Sequence, residues 1–196
     1  MMSSPNHLLY LKIPLKKILS VTNNFDDKNI IGRGEFEKRC TGQLFCSGEL
    51  IKIIARRWLN KERNDREQVF WMNIFMLSSL KHKNLVSLIG FCDENDEKII
   101  IYKDERRGSL SNHLSNTMAL TWVRRLRICV GIAHALSYIH YDESRDFSVI
   151  HRKLCSATIL LNYDWEPKLS NFDFSMKTEA SQSSNFEHTT SHEDYA

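Results

Sequence analysis

A few short stretches hold the residue types that could do chemistry. Gly32-Arg33-Gly34-Glu35-Phe36-Glu37 opens with alternating glycines. Glycine lets backbone N–H groups approach a bound phosphate, whereas a glutamate in such a loop brings a side chain and a negative charge. Like charges about 4 Å apart repel by about 1 kcal/mol in water and several-fold more in a partly dry cleft. The plainer alternative is a β-hairpin turn, which Glu37 favours. Arg56 closes the apolar run Ile53-Ile54-Ala55. It is either a surface arginine at a strand end or a cation turned inward, and the sequence leaves both open. His151-Arg152-Lys153-Leu154-Cys155-Ser156-Ala157-Thr158 gathers a histidine, two cations, a thiol and hydroxyls. Lysine is protonated at pH 7 and acts as a base only where burial depresses its pKa by several units. Asn171-Phe172-Asp173 sets a neutral amide close to a carboxylate.

The elements that must position these groups follow from periodicity. A short helix is expected over residues 13–25, with Pro14 in its first turn. Residues 30–58 read as strands, broken at Gly32-Arg33-Gly34 and at a Ser47-Gly48 turn. The segment 61–66 is polar. Phe70, Ile74 and Leu77 recur at helical spacing and predict a helix that ends at Lys81-His82-Lys83-Asn84. Leu85 to Phe91 reads as one strand and Lys98 to Tyr102 as its hairpin partner, joined by Asp93-Glu94-Asn95-Asp96. After Gly108-Ser109 comes a short helix, and Thr121 then N-caps a long one from Trp122 to about His140. Its apolar residues cover adjacent stripes, so burial on most of its circumference is expected. Val149-Ile150, Ile159-Leu160-Leu161 and Lys168-Leu169-Ser170 read as short strands. From Lys177 the chain is polar and rich in Ser and Thr, and is read as a loop or disorder.

Composition bounds the rest. The chain has 196 residues, 42% of them hydrophobic and 26% charged. That is ordinary for a globular domain able to build its own core. A net charge of +3 is too balanced to argue for nucleic acid. The 5 cysteines are widely spaced and form no C-x-x-C pair, so a reducing setting fits better than a zinc site or disulfide framework. No apolar run approaches the roughly 18 residues that span a bilayer, and residues 1–7 show no signal-peptide pattern.

Several ordered blocks carry a resemblance. Leu80-Lys81-His82-Lys83-Asn84-Leu85-Val86-Ser87-Leu88-Ile89-Gly90-Phe91-Cys92 resembles the αC–β4 region of plant receptor-like serine/threonine protein kinases. Leu120-Thr121-Trp122-Val123-Arg124-Arg125-Leu126 through Tyr138-Ile139-His140 resembles their αE helix, and Val149-Ile150-His151-Arg152 the start of their catalytic loop. The resemblance spans residues 14–176. It implies an α+β, protein-kinase-like fold: an antiparallel-sheet N-lobe with its αC helix over residues 14–103, and a mainly helical C-lobe over 104–176. Residues 1–13 would form an N-terminal tail. Residues 177–196 would be a polar tail at the start of the activation loop, so the C-lobe is expected to be incomplete. The apolar face of Trp122 to Ile139 would then lose its normal cover, leaving an exposed patch that marks either an interaction site or a stability problem.

The same resemblance assigns roles. Gly32, Gly34, Glu37, Arg39, Ile54, Arg56 and Asn73 fall at nucleotide-site positions. There Glu37 replaces the third glycine, Arg39 a valine, Ile54 the small residue roofing the adenine pocket, Arg56 the strand lysine and Asn73 the αC glutamate. His151, Arg152, Lys153 and Cys155 fall at catalytic positions, with Lys153 where the family has its proton-accepting Asp. Thr158 and Asn171 fall at the metal positions, where magnesium would want anionic oxygens. Asp173 would rescue metal binding only in a rearranged loop. Leu77, Leu88, His151 and Phe172 match the family's packed regulatory stack. Thr178, Ser181, Ser183, Ser184, Thr189, Thr190 and Ser191 lie where an activation loop would begin, and Arg152 is the residue that receives its phosphate in the family.

The leading expectation is a catalytically inactive kinase-like domain with no cofactor, acting by binding other proteins such as active receptor-like kinases, with no nucleic-acid partner and no transmembrane segment in this chain. It would sit in the cytoplasm, with the inner face of the plasma membrane as one setting. The alternatives are a residual kinase using ATP and Mg2+, and a non-functional product of a partial gene copy.

Overall fold

The computed structural model describes residues 6–34, 36–46, 48–59, 66–142 and 144–179. Alternation of apolar residues builds a five-stranded antiparallel sheet from β1 (Ile30–Arg33), β2 (Glu37–Cys46), β3 (Glu49–Trp58), β4 (Leu88–Cys92) and β5 (Ile99–Lys103), in the order β1-β2-β3-β5-β4. Successive side chains of a strand point to opposite faces. Ile53 and Ala55 of β3 join Ile99 and Ile101 of β5 on one face, against Ile18 of helix α1 (Leu15–Val21). Trp58 and Ile100 belong to the other face, packed on Phe70, Trp71 and Ile74 of helix α2 (Arg66–Ser79). The same period of two places Arg56 on the α2 side.

The second half is built on helix α3 (Trp122–Tyr141), N-capped by Thr121 as expected, with Oγ1 accepting from the Arg124 N–H at 3.4 Å. Short strands β6 (Gly108–Ser109), β7 (Phe147–Ile150), β8 (Ile159–Leu161), β9 (Pro167–Leu169) and β10 (Met176–Glu179) complete this half, with β6-β8-β9 in one sheet and β10-β7 in another. A third cluster joins the halves: Met76 and Leu77 of α2 and Leu80 just after it meet Ile132 and Ile139 of α3, with Leu169 and Phe172 in the same cluster.

Three expectations need correction. The β4 strand begins at Leu88, not Leu85. Leu85 instead makes an isolated parallel bridge to Leu169, because the Val86 N–H is drawn to the Leu169 carbonyl. The α3 helix is buried along one stripe only, formed by Ile128, Gly131, Ile132, Ala135 and Ile139. Trp122, Val123, Leu126 and Val130 are exposed, because β7 and β9 both pack against α3 and leave this opposite stripe uncovered. Residues 177–179 are not loop: backbone pairing with β7 makes them a strand, with Thr178 opposite Ser148. The Ser and Thr positions from Ser181 onward lie outside the described residues, as do Ser47 and most of the polar 61–66 segment; Gly48 takes the positive φ of its turn, at 87°.

The contact between α3 and β9 depends on a missing side chain. A Cβ on Gly131 would stand 2.5 Å from Pro167 Cγ and 3.0 Å from Asn84 Nδ2. Asn84 is itself fixed, donating from Nδ2 to the Pro167 carbonyl at 2.9 Å. Gly131→Val should therefore lose about 1–3 kcal/mol by overpacking, read as a lower urea midpoint at unchanged m-value. Ala133→Val, on the exposed side of the same helix, should leave the midpoint within about 0.5 kcal/mol.

Candidate functional site

Strand alternation turns Arg56 inward, where its side chain is only 8% exposed. Three groups meet it there. Nε donates to Glu37 Oε2 at 2.5 Å. Nη1 and Nη2 donate to the two carboxylate oxygens of Asp173 at 2.7 and 2.6 Å. The guanidinium carbon stands 4.3 Å from the centre of the Trp58 ring, two positions along the same strand face. This forked, stacked geometry suits arginine and not the point charge of lysine.

Glu37 starts β2, opposite Trp58. The Gly34 N–H donates to the Glu37 carbonyl at 2.9 Å and closes the turn between β1 and β2. The expected hairpin turn is present, and the Glu37 side chain folds back across it: a Cβ on Gly34 would lie 3.0 Å from Glu37 Cγ. Arg39 holds the other carboxylate oxygen, with Nη2 2.6 Å from Oε1. Glu37 is thus clamped between two arginines.

Asp173 comes from the loop before β10 and is 10% exposed. Asn73, fully buried on α2, donates to its Oδ1 at 2.7 Å and to the Val69 carbonyl at 2.9 Å. With its NH2 turned toward the carboxylate, Asn171 donates to both oxygens at 3.0 and 3.2 Å. Burial works against charge at both ends of the Arg56–Asp173 pair, but their mutual hydrogen bonds outweigh it. Asp173 is held below the ordinary carboxylate range and Arg56 is held more firmly protonated. Burial pushes the neighbouring Tyr102 hydroxyl up to about 12 despite the Arg56 charge.

On the opposite wall, Thr158 is buried and its hydroxyl is spent within its own loop. It accepts from the Cys155 N–H at 3.1 Å and lies 2.9 Å from the carbonyls of Lys153 and Cys155. Its hydrogen bonds lower the pKa of the exposed Cys155 thiol. Lys153 is exposed, its ammonium 4.6 Å from the centre of the Phe174 ring. His151 is a packing residue: its Nε2 is 2.9 Å from the Ser170 carbonyl and its ring lies edge-on to Phe172 at 4.9 Å, with burial lowering its pKa. Arg152 and Asn171 take positive φ values of 62° and 66°. For arginine that is an uncommon conformation.

One cleft brings together Gly32, Arg39, Ile54, Arg56, Lys153, Cys155, Thr158 and Asn171, closed on a further side by Tyr102 and residues 103–109. Glu37 and Asn73 reach it through Arg56 and Asp173. Arg152 is exposed outside it, and His151 sits behind it. The sequence left Arg56 open between surface and interior; it is interior. Asp173 was weighed only as a displaced metal ligand, and its pairing with Arg56 was missed. The signal available was charge: an inward arginine requires a carboxylate.

These donors do not fit magnesium. Asn171 is neutral, the Thr158 hydroxyl is engaged in its loop, and both Asp173 oxygens are taken by Arg56. Among the described residues no other group of acids, histidines and cysteines could hold a metal ion.

The order of blocks along the chain has a counterpart. The family model for protein tyrosine and serine/threonine kinases matches residues 25–194. The chain belongs to this kinase family. It is 40% identical over 166 residues to the receptor-like protein kinase HERK 1 of Arabidopsis thaliana, covering 84% of this chain and 19% of that protein. The receptor-like protein kinase ANXUR2 of the same plant is also 40% identical, with the same coverage. The probable serine/threonine-protein kinase PBL21 of Arabidopsis is 37% identical over 161 residues, 80% of this chain and 41% of that protein. The chain therefore spans about a fifth to two-fifths of the length of these relatives. As a kinase-family member, the chain pairs its β3 cation with Asp173, while the α2 position opposite holds an amide.

Removing one partner of a buried ion pair leaves the other uncompensated. Asp173→Asn should cost about 3–5 kcal/mol at pH 7. The double variant Arg56→Met with Asp173→Leu should recover much of the loss, because neither charge is then stranded. Asp173 binds its proton less readily when folded than when unfolded. Its contribution is full above the ordinary value of 3.8 and falls as pH drops through the lower folded value. The stability gap between the native chain and Asp173→Asn should therefore narrow on acidification in that range, measured by urea unfolding at stepped pH.

Proposed function

We propose that this chain is a kinase-like signalling module of the plant receptor-like kinase family that does not transfer phosphate and acts by binding other proteins, active receptor-like kinases among them. In this reading residues 14–103 form its N-lobe and residues 104–176 belong to its second lobe. The observation that supports it most directly is Arg56 held between Glu37 and Asp173 in the space where the family's phosphates and metal would sit. An incoming polyanion would have to displace both carboxylates from a buried cation.

Lys153 stands where a proton acceptor would be needed and carries a positive charge instead. Phosphoryl transfer is mostly positioning and electrostatic stabilisation. Losing one such group commonly costs orders of magnitude in rate, and here the base, the αC carboxylate and both metal positions differ together. The receptor-like names of the relatives favour a place on the cytoplasmic side, at or near the plasma membrane. No helix of the described residues is long and apolar enough to cross a membrane.

The competing reading, a residual serine/threonine kinase using ATP and Mg2+, follows from the family alone. Two measurements separate them. Labelled ATP with magnesium should give no autophosphorylation above a denatured control, and ATP should cause no magnesium-dependent rise in Tm. A phosphorylation signal abolished by Lys153→Ala would reverse the proposal in favour of the kinase.

A further inference from the structure

A second concavity lies away from the cleft, along the exposed side of α3. Val123, Leu126 and Val130 form one wall, and the turn between β8 and β9 forms the other, with Trp165 and Pro167 at its base. Its shape is fixed by the close approach at Gly131 and by Trp165. The Trp165 ring lies between the guanidinium carbons of Arg107 and Arg124, 4.4 and 4.6 Å from its centre. Arg107 and Arg124 are in turn tied to carbonyls of Tyr163 and Ala119. The groove thus has an apolar strip whose base is held by stacking and hydrogen bonds, bordered by charged side chains.

Its charge is divided between the walls: the α3 side is basic, while the facing turn carries Asp164 and Glu166. The 20 residues of α3 include Arg124, Arg125 and Arg127 and no acidic residue. Lys83 and His134 line the trough, Lys168 lies near them, and these charges add to burial in depressing the pKa of His82. Among the described residues no carboxylate pairs with Lys83 or Arg127. A second copy of the chain would bring its own basic α3 against this one, which like-charge repulsion opposes. The α3 wall offers side chains and no free backbone edge, so an added β-strand has nothing to pair with there.

We infer that this groove docks a short amphipathic helix of a partner protein, with aliphatic residues at i, i+3/i+4 and i+7 seated on Val123, Leu126 and Val130, and carboxylates facing Lys83 and Arg127. The inference rests on the interaction half of the proposed function and names the partner's chemistry.

The probe is a fluorescein-labelled synthetic peptide of about four helical turns, with leucines at that spacing and glutamates on the flanks, titrated with the whole chain. Saturable anisotropy should appear. Val130→Glu should weaken binding at least about tenfold. Arg127→Glu should do the same, and should partly restore binding of a peptide whose glutamates are lysines. Both residues are exposed, so circular dichroism and Tm should match the native chain. Absence of saturable binding, or equal binding of the glutamate and lysine peptides, overturns the inference. So does a dimer in sedimentation velocity that Val130→Glu abolishes, since the occupant would then be a second copy. ATP measurements on the same samples keep the two proposals apart: peptide binding can fail while the cleft stays inert, and magnesium-dependent ATP binding can appear while the groove still binds peptide.

Discussion

The buried pair of Arg56 and Asp173 fixes how the two halves of the molecule meet. Arg56 belongs to β3, Asp173 to the loop before β10, and Asn73 to α2, so three distant parts of the chain converge on one carboxylate. Taking two charges out of water costs several kcal/mol per ion, and only well-made hydrogen bonds return it. Here the return is nearly complete. Both terminal nitrogens of Arg56 reach Asp173, its Nε reaches Glu37, and the Asp173 oxygens gain Asn73 and Asn171 as well. One atom is left out: Asn73 Oδ1 is buried with no partner. Such an arrangement contributes little net stability compared with an apolar core of the same shape, but it tolerates only one geometry. The halves cannot slide without stranding a charge.

That constraint explains which features were legible in the sequence. Local patterns read well, because they report burial of one face. The alternation Ile53, Ala55 against Trp58 and the spacing Phe70, Ile74, Leu77 follow from elements that each have a covered side. The Arg56–Asp173 contact bridges 117 positions, and no local pattern registers it. Chemistry could have suggested it, since the inward arginine, the glutamate in the glycine turn and the late aspartate are each odd alone and neutralise one another together. The α3 helix fails for a different reason. Its apolar residues on adjacent stripes were read as burial, yet apolarity records what a surface could pack against, not what covers it. The β10 strand was invisible because its side chains are largely in solvent and show no apolar alternation, although Lys177 lies 4.2 Å from the centre of the Phe147 ring on β7.

The candidate site was legible by position and not by content. Residues from several separated segments converge on one cleft. What they do there came only from geometry. Thr158 spends its hydroxyl holding the loop from Lys153 to Cys155, and His151 and Phe172 hold the core together. Packing roles survive substitution of neighbouring polar groups because they depend on volume and burial. Chemical roles depend on charge at a point, and a lysine in place of an acid reverses that charge. This difference explains how a chain can keep a family's fold while the groups in its cleft answer mainly to one another.

The groove on α3 and the cleft then differ in kind. In the cleft, Arg39 and Arg56 are matched by Glu37 and Asp173, while Lys153, Lys103 and Arg106 also line it. On α3 the cations have no such partners among the described residues, and the apolar wall beside them is open to solvent. Association draws its free energy from surfaces that are incompletely satisfied in the free protein: apolar area still in water and charges still without a complement. The proposed helix groove draws on such a surface along α3. Gly131 and Trp165 keep that surface in a fixed shape before any partner arrives, which lowers the ordering cost of binding.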